Sequence, residues 1–161
     1  MKYFDDFLFE VDAAQVDEIV THAKVRAADA SDTDLLKQIF GLMDLTSLSE
    51  KDNAVNIGKM CEKVNLLSES YPELPPVAAI CVYPEWVKTV KDTLNIPLVN
   101  IASVGAGFPS SQTFLEVKLQ EVELALTAGA DEIDIVLSVG KFLAGQLEEA
   151  HQQMAHIKEL M

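Results

Sequence analysis

Cysteine, histidine and basic side chains are all scarce in this chain of 161 residues, and each shortage closes off a class of function. The two cysteines, Cys61 and Cys81, have neither CxxC spacing nor the density of a disulfide scaffold, so free thiols in a reducing compartment are expected. His22, His151 and His156 fit no metal-ligand spacing, because the last two lie five residues apart on different helix faces. No metal site is expected. Lys and Arg number 12 against 26 Asp and Glu, a formal charge of -14. Such a surface repels phosphate backbones and anionic headgroups unless a local basic patch overrides it, and the sequence shows none. Neither nucleic acid nor membrane is an expected partner. No apolar run approaches the roughly 18 residues needed to span a bilayer, and the acidic start through Asp5 and Asp6 lacks the flanks of a signal peptide. A soluble, cytoplasmic protein is expected.

What is present is core-forming material. Hydrophobic residues make up 49% of the chain, mean hydropathy is +0.16, and the length suffices for one domain with a sizeable core. The first forty residues read as helical, with Val16, Ile19, Val20, Ala23 and Ala27 at helical spacing. Ser31 to Asp34 then resembles a capping box ahead of Leu35, Leu36, Ile39 and Phe40.

From Leu42 onward short apolar runs alternate with longer amphipathic ones, four times over. Strands are predicted at 42–46, 77–83, 98–104 and 132–137. The helix after the first takes Ser49 as its N-cap and buries Ile57, Met60, Cys61 and Val64. The second helix opens at Pro84 and Glu85 and buries Val87, Val90 and Leu94. The third buries Phe114, Val117, Leu124, Ala125 and Ala128. The fourth carries Leu143, Leu147, Ala150, Met154, Ile157 and Met161. Helical crossovers imply parallel strands, either in an open doubly wound sheet or in part of a (β/α)8 barrel.

Strand parity separates these two. One parity is polar or small: Asp44 and Thr46, Ala79 and Cys81, Asn100 and Ala102, Asp134. The other carries Met43 and Leu45, Ile80 and Val82, Val99 and Ile101, Ile133 and Ile135. A central strand of a doubly wound sheet is apolar on both sides, so the asymmetry favours a barrel, with helices outside and functional groups inside. A whole barrel needs about 250 residues; this chain supplies four units.

Asp134 is the sharpest single residue. A carboxylate within Glu132-Ile133-Asp134-Ile135-Val136-Leu137 costs several kcal/mol if buried unpaired. It either pairs with a neighbouring Lys or Arg, ends the strand on a loop, or carries chemistry.

Leu42-Met-Asp-Leu-Thr-Ser-Leu48, Ala78-Ala-Ile-Cys-Val-Tyr-Pro84, Gly107-Phe-Pro109 and Gly129-Ala-Asp-Glu-Ile-Asp-Ile-Val136 resemble, in order and spacing, segments of the deoxyribose-phosphate aldolases. The resemblance runs from Gly41 to the end; residues 1–40 match only as an N-terminal helical extension, and 41–161 as the first four strand-helix units of a TIM (β/α)8 barrel. It implies a class I aldolase that splits 2-deoxy-D-ribose 5-phosphate through a lysine Schiff base, without metal or cofactor. Asp134 matches the aspartate of the proton relay. Asp44 and Thr46 match residues lining the substrate pocket, and Cys81 a pocket cysteine that reads equally well as a small buried hydrophobe. The Gly105-Ala-Gly107 loop is weak as a phosphate cradle and a residue longer than the family's usual link. Lys141 reads as solvated surface.

The Schiff-base lysine, its partner lysine and the phosphate cradle of the family belong to the later half of the barrel, beyond Met161. The chain is therefore expected to be a fragment, inactive alone, and to self-associate through open half-barrel edges. Two alternatives stand beside this reading: a related class I aldolase with another aldehyde substrate, and a non-catalytic open α/β binding module.

Overall fold

A computed structural model describes residues 12–29 and 32–161. Contacts divide the chain into two units, 1–39 and 40–161. The first holds helix α1 (Ala13–Asp29) and most of α2 (Thr33–Phe40). Asp32 is the residue that caps α2, its Oδ1 accepting the N–H of Asp34 at 2.9 Å. Ser31, the first residue of the expected capping box, lies outside the described residues.

The second unit alternates strand and helix: β1 (Asp44–Thr46), α3 (Ala54–Ser70), β2 (Ala79–Val82), a 3-10 turn at Pro84–Trp86, α4 (Val87–Thr93), β3 (Asn100–Gly105), α5 (Leu115–Ala128), β4 (Glu132–Ile135), α6 (Val139–Leu143) and α7 (Leu147–Glu159). All three strand pairs are parallel and the order is β1-β2-β3-β4. Each crossover therefore steps one strand along in the same direction, which places successive helices on one face. A doubly wound sheet would reverse that direction.

The expected strands are present but shorter, because ladder pairing ends before the apolar pattern does. Met43 O still accepts the Ala78 N–H at 2.9 Å, one step beyond β1. Helix α3 starts four residues later than expected. Its cap is Asn53, whose side chain accepts from Val55 and Asn56 while Asn56 Oδ1 accepts the Asn53 N–H, a reciprocal box that leaves Ser49 in the turn ahead of the helix, bonded to Lys51 and Asp52.

The core lies between the sheet and its helices. Ile80, Val82, Val99 and Ile101 pack with Ile57, Cys61, Val64, Val87, Val90 and Ala125. The single fourth helix of the sequence pattern is two helices, broken where Gly145 takes φ 76°. Of its expected inner positions Ala150 and Ile157 are buried, whereas Leu143, Met154 and Met161 are exposed.

Candidate active site

The opposite face of the sheet carries a small second cluster, Ala79, Cys81, Ala102 and Val104, covered by Leu48, Tyr83 and Phe108 from the strand-end loops rather than by a helix. Register sets what stands around it. Thr46 pairs with Cys81, Cys81 with Ala102, and Ala102 with Glu132, a row across all four strands. Asp134 sits two residues further along β4, level with Val104, towards the C-terminal end of the sheet. That is the end where barrel enzymes place their chemistry.

Asp44, Thr46, Cys81 and Asp134 thus share one face. The outer two strands supply the carboxylates and the inner two supply small side chains, so the acids overlook a common space. Three strand steps separate β1 from β4, about 14 Å along a flat sheet, and the carboxylates do not touch. Their influence meets at Cys81, whose thiol is pushed above its ordinary range first by burial and then by the Asp134 and Asp44 carboxylates, against a hydrogen bond with Thr46. The thiol stays protonated at neutral pH, which removes it as a nucleophile.

Asp134 is exposed, and among the described residues no Lys, Arg or His nitrogen lies within 4.0 Å of its carboxylate. The pairing alternative for this residue therefore has no partner. Glu132, on the same face one step below, is engaged: Asn100 Nδ2 donates to its Oε1 at 2.5 Å.

The loop after β3 is tied down from the helix side. Gly107 takes φ 77° and donates its N–H to Glu121 Oε2 at 2.7 Å, and a Cβ there would meet Thr113 Cγ2 at 2.9 Å. Its glycine serves packing, and that N–H is not available to a phosphate. Lys141 is not bare surface. Its side chain is about one-third exposed and its Nζ meets Glu149 Oε2 at 2.5 Å.

The sequence reading missed Lys118. It is 1% exposed, and its Nζ donates to Ser111 Oγ at 2.7 Å, Ser138 Oγ at 2.9 Å and Gln153 Oε1 at 3.0 Å. Burial, and secondarily the Lys141 charge, lower its pKa. The signal was the stripe Lys118, Val122 and Ala125, which is the face of α5 that is buried. Of the expected inner positions Ala125 is buried, whereas Phe114, Val117 and Leu124 are exposed.

Four sequential parallel β/α units with ionisable groups on the helix-free face are the first four units of a (β/α)8 barrel. The family described as DeoC/LacD family aldolase matches residues 38–160, and the chain belongs to that family of aldolases. Deoxyribose-phosphate aldolase from Homo sapiens is 37% identical over 138 residues, covering 78% of this chain and 42% of the relative. A putative deoxyribose-phosphate aldolase from Caenorhabditis elegans is 29% identical over 154 residues, covering 93% of this chain and 50% of the relative, so likeness extends upstream of Gly41. The chain spans about half the length of these relatives. Among solved structures, a putative deoxyribose-phosphate aldolase from Coccidioides immitis superposes with a TM-score of 0.66 at 22% identity, over 77% of this chain and 46% of that one.

Proposed function

We propose that residues 41–161 form the half of a deoxyribose-phosphate aldolase that carries the proton relay, with residues 1–40 as an extension to it. The reaction is cleavage of 2-deoxy-D-ribose 5-phosphate to acetaldehyde and D-glyceraldehyde 3-phosphate through a Schiff base on a lysine. What carries the reading is the convergence of Asp44, Thr46, Cys81 and Asp134 on one helix-free sheet face at the registers given above.

Asp134 moves the protons. A solvated carboxylate without a cationic partner can accept a proton from a hydroxyl or bound water and return it to carbon. Asp44 and Thr46 hydrogen-bond substrate hydroxyls, although Thr46 Oγ1 now leans on its own strand, 3.4 Å from Asp44 O. Cys81 shapes the floor as a protonated thiol.

The helix-free face carries no lysine among the described residues: its side chains are Asp44, Thr46, Ala79, Cys81, Asn100, Ala102, Val104, Glu132 and Asp134. On this reading the 161 residues by themselves turn over no substrate, and β1 and β4, the ends of the sheet among the described residues, favour association with another chain. Incubating the pure chain with 2-deoxy-D-ribose 5-phosphate and borohydride is the direct test. No acetaldehyde and no reduced adduct are expected, and turnover with trapping on any lysine would refute this reading. Fused to the C-terminal half of the human relative, the chain should gain turnover, and Asp134→Asn in that fusion should remove about 10²-fold or more of it. Equal rates for the two fusions would end the relay assignment.

A further inference from the structure

Helix α1 lies outside the unit that carries the sheet and has no part in the chemistry proposed there. Val16, Val20, Ala23 and Ala27 recur at steps of four, three and four, which at about 100° per residue gathers them within about 60° of one another, with Ile19 on the margin. They form one seam, and it is open. Val16 is 45%, Ile19 61% and Val20 42% exposed, and Ala23 and Ala27 are exposed as well. A helix that includes Val16, Ile19, Val20, Thr21 and Val25 gains little from intrinsic propensity, so its stability depends on covering such a seam.

Two properties of the seam say what covers it. The first is size: the valines stand in its N-terminal half and the alanines in its C-terminal half. An antiparallel copy of the same helix sets Val16 against Ala27 and Val20 against Ala23, and a two-fold axis repeats both, so all four layers have equal width. A parallel copy stacks valine on valine and alanine on alanine, giving wide layers beside narrow ones. The second is charge. Asp17 and Lys24, seven residues apart, lie on the same flank of the seam, and neither forms an ion pair among the described residues. In the antiparallel register like flanks face each other, so Asp17 of each helix meets Lys24 of the other with an axial offset of about 3 Å. In a parallel pair that flank faces Gln15, Ile19 and Arg26, where Lys24 meets a second cation and no carboxylate.

We propose that α1 is a self-association element through which two copies of this chain pair antiparallel, with Val16, Val20, Ala23 and Ala27 as the seam and two Asp17–Lys24 ion pairs along one flank. Four layers span about 17 Å of helix, which puts the contact at the small end of specific interfaces and makes the dimer weak. The pairing does not depend on the aldolase reading, and it is separate from association through β1 and β4.

Sedimentation equilibrium of the 161-residue chain at an ionic strength of about 0.15 M, where the net charge of -14 is largely screened, tests this. The mass should rise from 17.7 kDa towards twice that value, with a dissociation constant on the order of 100 µM. Asp17→Lys and Lys24→Asp each set like charges opposite one another and should weaken the dimer about tenfold. Mixed in equal amounts, the two variants should pair with each other about as tightly as wild type, because both flanking pairs are then of opposite sign. That recovery distinguishes a lost contact from a damaged helix. Val20→Asp should abolish the dimer. A monomer up to about 1 mM, a mixture no tighter than its components, or a dimer unmoved by either reversal would overturn the proposal, and the last result would place association at the strand edges instead.

Discussion

On the helix-covered side of the sheet, Ile80, Val82, Val99 and Ile101 are buried against the inner stripes of α3 and α4, whereas the same strands turn Ala79, Cys81 and Ala102 to the other side, flanked by Asp44, Thr46 and Asp134. One face is filled by large apolar side chains and tolerates no vacancy. The other is made of small and ionisable groups and leaves space. The difference teaches where stability and chemistry are kept apart: changes on the first face are paid in folding free energy, changes on the second in reactivity.

The largest expected contrast comes from emptying the filled face. Ile80 is wholly buried in a central strand, so Ile80→Ala should destabilise the chain by about 2–5 kcal/mol in urea unfolding. Asp134→Asn, on the open face, should shift stability by no more than about 0.5 kcal/mol. Similar losses for both would erase the distinction between the faces. Next in size is the cap of the helix that covers the filled face. Asn53→Ala removes both N-cap acceptances and should cost about 1 kcal/mol, read from the same unfolding curves.

The smaller effects are pH-dependent, and their signs differ. Burial pushes the Cys61 thiol, in the filled face, up to about 11 from an ordinary 9.0. Between those values the unfolded chain has lost the proton and the folded chain keeps it, so Cys61 makes stability fall as pH rises through that window. Cys61→Ala should flatten the fall. Lys118 works the other way: its lowered folded pKa means that the folded chain loses the proton first, so up to the ordinary value of 10.5 the unfolded state binds more protons and stability rises with pH. Relative to Lys118→Met, the wild type should therefore gain stability on going from neutral pH towards 10.5. A flat difference would mean that Lys118 is not desolvated in solution.

The sheet was legible because strand alternation is local. Whether Asp134 shares a face with Asp44 depends only on counting by two within each strand and on knowing that both faces are not alike. The helices were less legible. In α5 the apolar residues nearly encircle the axis, so Phe114, Val117 and Leu124 read as plausibly inward as Ala125, which is buried as expected, and no local rule singled out Lys118 and Val122. The last helix was read as continuous because its spacing survives the break at Gly145, where a positive φ rather than a polar run ends α6. Ser49 lost the capping role to Asn53 although Asp52 reaches back to the Ser49 N–H at 3.0 Å, because the Ser49 hydroxyl accepts the N–H of Lys51, ahead of the helix, whereas Asn53 Oδ1 accepts those of Val55 and Asn56 in its first turn.

The amino-acid sequence by itself determined the four β/α repeats, the polar and apolar parities, the family segments and the acidic balance, all of which are properties of neighbours along the chain. Only the tertiary structure decided the burial of Lys118, since its acceptors stand 7, 20 and 35 residues away on three different segments. The same packing placed Lys141, itself paired with Glu149, near enough for its charge to act on Lys118. Charge along a sequence is read by counting. Charge at a site is set by which segments the fold brings together and how much water they exclude.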